Sequence, residues 1–319
     1  MKRDTKIFVA GHGGLAGGAL VRELQRLGYQ GLLTRSHAEL DLQNQADTLR
    51  YFEARKPEVV FLAAAKVGGI VANNSYPVDF LMRNLEIQAN VFRASHGAGV
   101  QRLIYLGSSC MYPRDCEQPM REDFLLTGPL EPTNQPYAVA KIAGVEMCHV
   151  YNRQYGTRYL AATPAGLYGA GDSYDPSNSH VLPALIRKMH EAKIGGLDEV
   201  VLWGSGRPRR EFLHSQDMAR ALVFLAELDD AGFDAVFDIA RPPLINVGTG
   251  EDLSIQELAQ LVASVVGYRG RFFNDTTKPD GTPRKLLDAS RLHALGWKPA
   301  VGLREGIAEA YQDFLTRKL

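Results

Sequence analysis

Three glycines spaced three residues apart follow the first apolar segment of the chain. Ile7–Ala10 is a short apolar run, Gly11, Gly14 and Gly17 come next, and an amphipathic stretch follows over residues 15–27. Glycines at this spacing let the backbone turn sharply and approach a phosphate closely, and the following helix directs free N–H groups at it. A strand, a glycine loop and a helix in this order predict the first βα unit of a dinucleotide-binding domain.

Short apolar segments alternate with helical segments through the first half of the chain. Strands are predicted over residues 7–10, 31–34, 59–63, 102–106 and 159–163, and helices over residues 15–27, 45–55, 80–95 and 137–155. Such alternation favours right-handed crossovers and a parallel sheet that is covered on both faces. We therefore expect an α/β fold in which residues 1–165 form a Rossmann-type doubly wound parallel sheet.

The pattern becomes less regular from about residue 165. Segments rich in Gly, Pro, Ser and Asp separate shorter helices, which are predicted over residues 182–192, 216–228 and 254–266. Ser254 and Glu257 have the spacing of a capping box at the start of the last of these. We expect residues 166–319 to form mainly a smaller C-terminal substrate-binding lobe, with some segments returning to the Rossmann domain.

Composition excludes several classes of protein. Lys+Arg and Asp+Glu both total 36 among 319 residues, so no basic excess points to nucleic acid or to a membrane surface. The three cysteines, Cys110, Cys116 and Cys148, lack the paired spacing of a metal site, and their odd number argues against a disulfide framework. We expect no metal. No apolar run is long enough for a signal peptide or a membrane span, which predicts a cytoplasmic protein.

Tyr137 and Lys141 are four residues apart on a predicted helix, and Gly107-Ser108-Ser109 ends the strand before it. Residues at this spacing share one face of a helix. We expect the Lys141 ammonium to lower the pKa of the Tyr137 phenol, so that the phenol can exchange a proton with a carbonyl or carbinol oxygen. Together with the glycine loop, these residues predict hydride transfer at a C=O/CH–OH pair.

The end of the second predicted strand indicates which nicotinamide cofactor binds. In NAD sites an acidic residue near this position holds the ribose 2′-hydroxyl. This chain has Arg35 there, and an arginine can pair with a 2′-phosphate, so NADP(H) is favoured. Asp41 either reaches the adenine edge or caps the next helix.

Seven longer stretches are similar to the GDP-L-fucose synthase family of extended short-chain dehydrogenases/reductases. They are residues 63–74, 106–113, 131–138, 176–180, 203–206, 210–214 and 278–285, and the resemblance covers nearly the whole chain. Family members are NADPH-dependent and bifunctional, and they 3,5-epimerise and 4-reduce GDP-4-keto-6-deoxy-D-mannose. The resemblance implies a GDP-sugar substrate, the product GDP-L-fucose, and a homodimer formed by the helices over residues 80–95 and 137–155.

The resemblance also implies roles for five catalytic side chains. Ser108 and Tyr137 would polarise the C4 carbonyl, with Tyr137 delivering the proton, and Lys141 would hold the nicotinamide ribose. Cys110 and His180 would be the epimerisation pair. Protons on C3 and C5 are acidified by the neighbouring ketone, and inversion needs one group to remove a proton and another to return it from the opposite face.

The same resemblance implies the residues around each ligand. The cofactor-binding residues would be Gly11, His12, Gly14, Leu15, Ala16, Gly17, Arg35, Asp41, Leu106, Gly107, Ser108, Ser109, Lys141, Pro164, Ala165, Gly166, Leu167 and His180. The substrate-binding residues would be Lys188, Trp203, Arg210, Arg271 and Asp280. Cationic side chains in this set suit the bidentate recognition of a diphosphate and a purine.

Three positions depart from the family pattern. The family usually has arginines where this chain has Gly13 and His37, so NADPH preference would depend more on Arg35, and mixed cofactor use stays open. It usually has Thr-Asn where this chain has Ala165-Gly166, and that asparagine would contact the substrate diphosphate. Two alternatives therefore remain. One is an epimerase/reductase for a related GDP-4-ketosugar, such as a 3,6-dideoxy or heptose analogue, and the other is a non-catalytic dinucleotide-binding sensor.

Overall fold

The structure is a computed structural model that describes residues 1–176, 179–237, 241–278 and 280–317. The family-like stretches 176–180 and 278–285 therefore each include residues outside the described ones. The strands are β1 (Ile7–Ala10), β2 (Leu32–Leu33), β3 (Val59–Leu62), β4 (Arg102–Leu106), β5 (Arg158–Pro164), β6 (Gly166–Tyr168), β7 (Glu199–Trp203), β8 (Arg209–His214), β9 (Leu244–Val247), β10 (Asp252–Ser254), β11 (Arg271–Asp275) and β12 (Arg284–Lys285). The α-helices are α1 (Leu15–Arg26), α2 (Gln45–Arg55), α3 (Ile70–Ser75), α4 (Pro77–Gly97), α5 (Gln135–Tyr155), α6 (Val181–Ile194), α7 (Ser215–Glu227), α8 (Asp230–Val236), α9 (Ile255–Val266), α10 (Ser290–Ala294) and α11 (Leu303–Thr316).

Six strands form a parallel sheet in the order β2-β1-β3-β4-β5-β9. Every residue of β1, β3 and β9 is buried, as expected for parallel strands that are covered on both faces. The strand order reverses at β1, which has β2 on one side and β3 on the other. This arrangement confirms the predicted doubly wound Rossmann-type fold. Such a reversal places ligand sites beyond the carboxyl ends of the strands around β1.

A smaller lobe is built around two short sheets. In one of them β8 pairs with β6, β10 and β12, and in the other β7 pairs with β11. Helices α6, α9 and α11 pack against one another. Their buried side chains form a second apolar core, which includes Ile186, Leu258 and Ile307. The lobe therefore has a core distinct from the one that surrounds the central sheet.

The segment after β8 returns to the central sheet. Helix α7 packs against α1, and β9 pairs with β5 at the edge of the sheet. The chain thus passes between the sheet and the smaller lobe repeatedly: between β5 and β6, between β8 and α7, between β9 and β10, between β12 and α10, which packs on β9, and between α10 and α11.

Helix boundaries follow local sequence signals. The predicted capping box is present at α9, since Ser254 Oγ accepts from the Glu257 N–H at 3.1 Å and the Glu257 carboxylate accepts from the Ser254 N–H at 2.7 Å. Helix α4 begins at Pro77 rather than at the predicted residue 80, because proline is well suited to a first helical turn. No helix in the described ranges is long and apolar enough to cross a membrane.

Candidate active site

A cleft of about 1680 Å³ separates the carboxyl ends of the central strands from the smaller lobe. The predicted site residues that line it are Gly11, His12, Gly14, Leu15, Ala16, Gly17, Arg35, Asp41, Leu106, Gly107, Ser108, Ser109, Cys110, Tyr137, Lys141, Pro164, Ala165, Gly166, Leu167, His180, Trp203, Arg210 and Asp280. Lys188 and Arg271 are the predicted site residues that do not line it. One cleft therefore brings together nearly all of the residues that the sequence had singled out.

The glycine loop has the backbone that the motif predicts. Gly11 has φ +85°, and a Cβ there would lie 2.7 Å from the Ala64 nitrogen; a Cβ at Gly17 would overlap the Gly11 carbonyl. Helix α1 then begins with no side-chain cap and no acidic residue in its first turn, so its free N–H groups and positive dipole end are available to an anion. This cradle fits a pyrophosphate.

Arg35 lies at the cleft, just beyond the end of β2. Its Nη1 donates to the Thr34 carbonyl at 2.8 Å, and its guanidinium lies 5.5 Å from the centre of the Tyr51 ring. A Cβ at Gly13, in the glycine loop, would have no neighbour within 4 Å. The fold therefore does not require glycine at residue 13, and a larger side chain would have room there.

Asp41 and His37 face each other at the same edge of the cleft, with His37 Nδ1 3.6 Å from Asp41 Oδ1. Asp41 also accepts from the Gln43 N–H at 2.9 Å. The N-cap of α2 is Asn44, whose Oδ1 accepts from the Asp47 N–H. The suggestion that Asp41 caps the next helix is therefore wrong, and its role toward the adenine stays a prediction.

Ser108, Tyr137 and Lys141 meet where β4 ends against α5. Lys141 is 3% exposed, and burial lowers its pKa to about 7. Its Nζ donates to the Leu106 carbonyl at 2.7 Å and lies 5.9 Å from the centre of the Tyr137 ring. Loss of solvent raises the pKa of Tyr137, and the nearby Cys110 raises it further, while a hydrogen bond with Ser108 lowers it.

This geometry corrects the expectation that Lys141 lowers the pKa of Tyr137. The Lys141 ammonium is directed at a backbone carbonyl and the face of the ring rather than at the phenol oxygen. Burial is therefore the largest effect on the pKa of the Tyr137 phenol and raises it. The hydroxyl of Ser108 is the neighbour that favours the ionised form of the phenol.

The position of α5 is fixed by a buried polar network. Tyr105 donates to Gln88 Oε1 at 2.8 Å, and Gln88 Nε2 donates to the Ala140 carbonyl at 2.8 Å. A Cβ at Gly144 would overlap the Tyr105 ring, so glycine lets the helix approach β4 closely. The spacing of Tyr137 from the end of β4 depends on this contact.

Cys110 has two polar neighbours that the sequence analysis did not single out. Asn134 Nδ2 lies 3.1 Å from Cys110 Sγ, and Lys285 Nζ lies 3.8 Å from it. Both belong to stretches with family resemblance, but their separations in sequence from Cys110, 24 and 175 residues, gave no signal of contact.

His180 is exposed to the cleft and directly precedes α6 as its N-cap residue. Buried Asp172 lines the same cleft and was also missed by the sequence analysis. Burial raises the pKa of Asp172, whereas a hydrogen bond from the Ser173 N–H and the charge of His180 lower it. The thiol of Cys110 and the imidazole of His180 thus both line this cleft.

The far end of the cleft is aromatic and cationic. Trp203 is 64% exposed, with the Lys188 and Lys278 ammonium groups 5.1 and 5.7 Å from the centre of its ring. Lys188 therefore contacts Trp203 at this end of the cleft, although Lys188 does not line the cleft itself. Asp280 accepts from the Ser205 N–H at 2.8 Å and from its hydroxyl at 2.7 Å, so this carboxylate fixes the turn after Trp203.

Arg210 is held by backbone carbonyls, to which its Nη1 donates at Thr282 and Arg209. Burial lowers its pKa, and nearby Asp280 opposes that effect. Its guanidinium is therefore fixed in a partly desolvated position at the wall of the cleft.

Arg271 is the predicted substrate residue that the structure places elsewhere. It begins β11 opposite Glu199, with which it forms an exposed ion pair at 3.0 Å. Trp203 pairs with Asp275, four residues further along the same strand. Four residues of extended chain span about 13 Å, so Arg271 lies that far along the sheet from Trp203, and its role toward the substrate stays a prediction.

Comparison with known proteins identifies the family. A model of the NAD dependent epimerase/dehydratase family matches residues 7–240. The chain belongs to this family. It is 51% identical over 315 residues to the GDP-L-fucose synthase of Escherichia coli strain K12, covering 98% of this chain and 97% of that protein. It is also 51% identical over 313 residues to GDP-L-fucose synthase 1 of Arabidopsis thaliana, covering 98% and 94%.

A solved structure from Campylobacter jejuni shares the fold of this epimerase/dehydratase family member. MlghC, described as a GDP-mannoheptose C4 reductase with NADP bound, has a TM-score of 0.89 and 38% identity, covering 99% of this chain and 100% of that one. These relatives confirm the resemblance to GDP-L-fucose synthases. Among the residues that the structure describes, no group of three or more His, Cys, Asp or Glu side chains could hold a metal ion.

Proposed function

We propose that this chain converts GDP-4-keto-6-deoxy-D-mannose to GDP-L-fucose by 3,5-epimerisation and NADPH-dependent 4-reduction. The observation that carries the proposal is one cleft that contains both a reducing set and an epimerising pair. Ser108, Tyr137 and Lys141 form the first, and Cys110 and His180 form the second. Identity of 51% to two proteins named GDP-L-fucose synthase supports the same substrate.

The residues at the glycine loop fit NADP(H). The tight turn at Gly11 and Gly17 and the uncapped start of α1 suit the pyrophosphate, and the presence of Arg35 in the lining of the cleft supports a contact with a 2′-phosphate. When bound, the dinucleotide would supply the hydride. In this proposal residues 1–165 hold the dinucleotide, and the lobe formed mainly by residues 166–319 holds the GDP-sugar.

The protein side chains then divide the proton transfers. Cys110 as a thiolate removes a proton from a carbon beside the C4 ketone, and the C–H electron pair moves toward the ketone oxygen. His180 returns a proton to the opposite face, which inverts the centre. Ser108 polarises the ketone oxygen by hydrogen bonding, and Tyr137 gives that oxygen its proton during reduction.

A related GDP-4-ketosugar is the second candidate substrate. A Cβ at Gly166 would lie 2.9 Å from the Glu211 carbonyl oxygen, so the backbone leaves no space for the asparagine that the family usually carries there. The polar contact to a diphosphate that this asparagine would make is absent, and a protein of the same fold that is 38% identical is described as a GDP-mannoheptose C4 reductase, which makes a related GDP-sugar a reasonable second candidate. A non-catalytic sensor is disfavoured because Ser108, Tyr137 and Lys141 are all present at the cleft.

Incubation with each substrate tests the proposal. Purified protein is mixed with GDP-4-keto-6-deoxy-D-mannose and either NADPH or NADH, and the product is identified by NMR. We expect GDP-L-fucose, formed faster with NADPH. No turnover of this sugar, together with turnover of a GDP-4-keto-heptose, would favour the second candidate.

We also propose a cytoplasmic homodimer. Support for the dimer comes from exposed apolar side chains on α4 and α5, namely Val78, Met82, Val139, Val150 and Tyr155. Support for the compartment comes from three free cysteines and from the use of NADPH. Sedimentation of the protein with Val139 and Val150 changed to Glu tests the interface, since a dimer formed there should dissociate.

A further inference from the structure

One face of the sheet formed by β7 and β11 is exposed to solvent. Side chains along β7 alternate between exposed and buried, and Val201 is 42% exposed. On β11, Phe273 is 53% exposed and lies opposite Val201, whereas Phe272 packs against the core of the lobe. Because side chains alternate between the two faces of a strand, Arg271 and Asp275 share the exposed face with Phe273. This face has an apolar centre and, along β11, a cation at one end and a carboxylate at the other.

The outer edge of β11 is open in the part of the chain that the structure describes, where β7 is its partner strand. The Arg271 N–H donates to the Asp198 carbonyl at 2.9 Å, so the backbone groups of this residue point toward β7. Backbone groups alternate in direction along a strand, which directs those of Phe272 and Asn274 to the open edge. Such an edge is a template for pairing with another strand.

The residues of β11 are complementary to themselves in the antiparallel direction. The strand reads Arg271-Phe-Phe-Asn-Asp275. A twofold axis at Phe273 would place Arg271 of each copy opposite Asp275 of the other and the two Phe273 rings side by side. Facing residues at such non-hydrogen-bonded positions have Cα atoms about 4.5 Å apart, and opposite charges and aromatic rings there stabilise the pair. Residues 272 and 274 would exchange the N–H···O bonds.

Other pairings of these edges lack this complementarity. Parallel pairing of two β11 strands in register would place Arg271 beside Arg271, and like charges at facing positions are destabilising. Antiparallel pairing through β7 would place Glu199 opposite Trp203, which forms no charge pair. Arg271 already pairs with Glu199 at 3.0 Å, but its side chain is 80% exposed and a guanidinium has five N–H donors, so it can also bind a second carboxylate.

We propose that the outer edge of β11 binds a second copy of this chain by antiparallel strand pairing. The contact is separate from the dimer proposed through α4 and α5, because β11 belongs to the smaller lobe. Two twofold contacts on one chain would join dimers into tetramers or longer assemblies. A contact centred on five residues is small, so we expect reversible association that increases with protein concentration.

Sedimentation velocity of the full-length protein at increasing concentration tests the contact by charge exchange. Arg271→Asp makes all four facing charges acidic, and Asp275→Arg makes them all basic, so each variant should associate about tenfold or more weakly than the wild type. An equimolar mixture of the two variants restores both opposite-charge pairs and should recover association. Arg304→Asp, at an exposed arginine of α11, is the matched control and should associate like the wild type.

Phe273→Lys provides a second disruption if Asp275→Arg does not fold, since Asp275 also accepts from the Thr277 N–H and hydroxyl. It places two like charges at the twofold axis and leaves that turn intact. Association that weakens in Arg271→Asp and Phe273→Lys supports the proposal, whether the associating unit is a monomer or the dimer proposed through α4 and α5. Three results overturn it: no self-association of the wild type, unchanged association of the folded Arg271→Asp protein, or no recovery in a mixture of folded variants.

Discussion

Replacing Lys141 by Met should make the fold more stable at neutral pH while removing a catalytic group. Burial lowers the pKa of Lys141 from 10.5 to about 7. Each pKa unit corresponds to about 1.4 kcal/mol, so at pH 7, where half the folded molecules carry the charge, the buried amine costs about 4 kcal/mol. Losing the hydrogen bond to the Leu106 carbonyl costs about 1–3 kcal/mol. The expected net gain in the free energy of unfolding is about 1–3 kcal/mol.

The pH dependence gives the sharper test. The folded-state pKa is below the unfolded one, so between about pH 7 and 10.5 the unfolded chain binds more protons and wild-type stability rises with pH. At pH 10 the cost of the buried amine falls to about 1 kcal/mol. Lys141→Met should then lose its advantage and become equal to the wild type or less stable.

Urea unfolding of both proteins at pH 7 and pH 10 measures the two differences, and ionisations common to both proteins cancel. Lys298→Met is the control at an exposed lysine and should shift stability little at either pH. A Lys141→Met protein less stable than the wild type at pH 7 would refute the reasoning, because it would mean that the ammonium is stabilising where it lies.

Three further predictions concern the chemistry. Tyr137→Phe should lower the rate of NADPH oxidation about a hundredfold or more while cofactor binding persists, because only the proton donor is lost. Near-normal oxidation would contradict the assignment of Tyr137 as the proton donor. Arg35→Ala should raise KM for NADPH about tenfold or more and change KM for NADH little; equal effects of this change on both cofactors would place the 2′-phosphate elsewhere. Gly13→Arg, for which the fold has room, should lower KM for NADPH. Cys110→Ser should stop solvent deuterium from entering C3 and C5 yet leave ketone reduction, whereas His180→Asn should suppress inversion and still permit exchange on one face. Full epimerisation by the Cys110→Ser protein would contradict this division of roles.

The features of the site that could be predicted from sequence are those that local geometry controls. The glycine loop depends on backbone contacts within a few residues, and the pair Tyr137 and Lys141 depends on the helical period, so both follow from spacing. The parallel sheet follows from alternating elements. The pairing of Ser254 with Glu257 is equally local and was predicted correctly.

The features that sequence reasoning missed depend on contacts between distant segments. Lys285 reaches Cys110 because β12 lies beside β8, and nothing in the spacing of the two residues reveals that pairing. Arg271 was expected at the substrate from the family pattern alone, and its position in β11 opposite Glu199 follows from the register of β11 against β7, which spacing does not reveal. The direction in which the Lys141 ammonium points is likewise a tertiary property, since the helical period gives the shared face and not the hydrogen-bond partner.

The return of α7 and β9 to the central sheet has a consequence for how the chain can be divided. A chain cut after residue 165 would lose both elements, which would expose the edge of β5 and uncover the face of α1. An unpaired sheet edge is a template for association with other chains. The nucleotide-binding part is therefore not a portable module, and an attempt to transplant it would need the segment from α7 through β9 to be supplied as well.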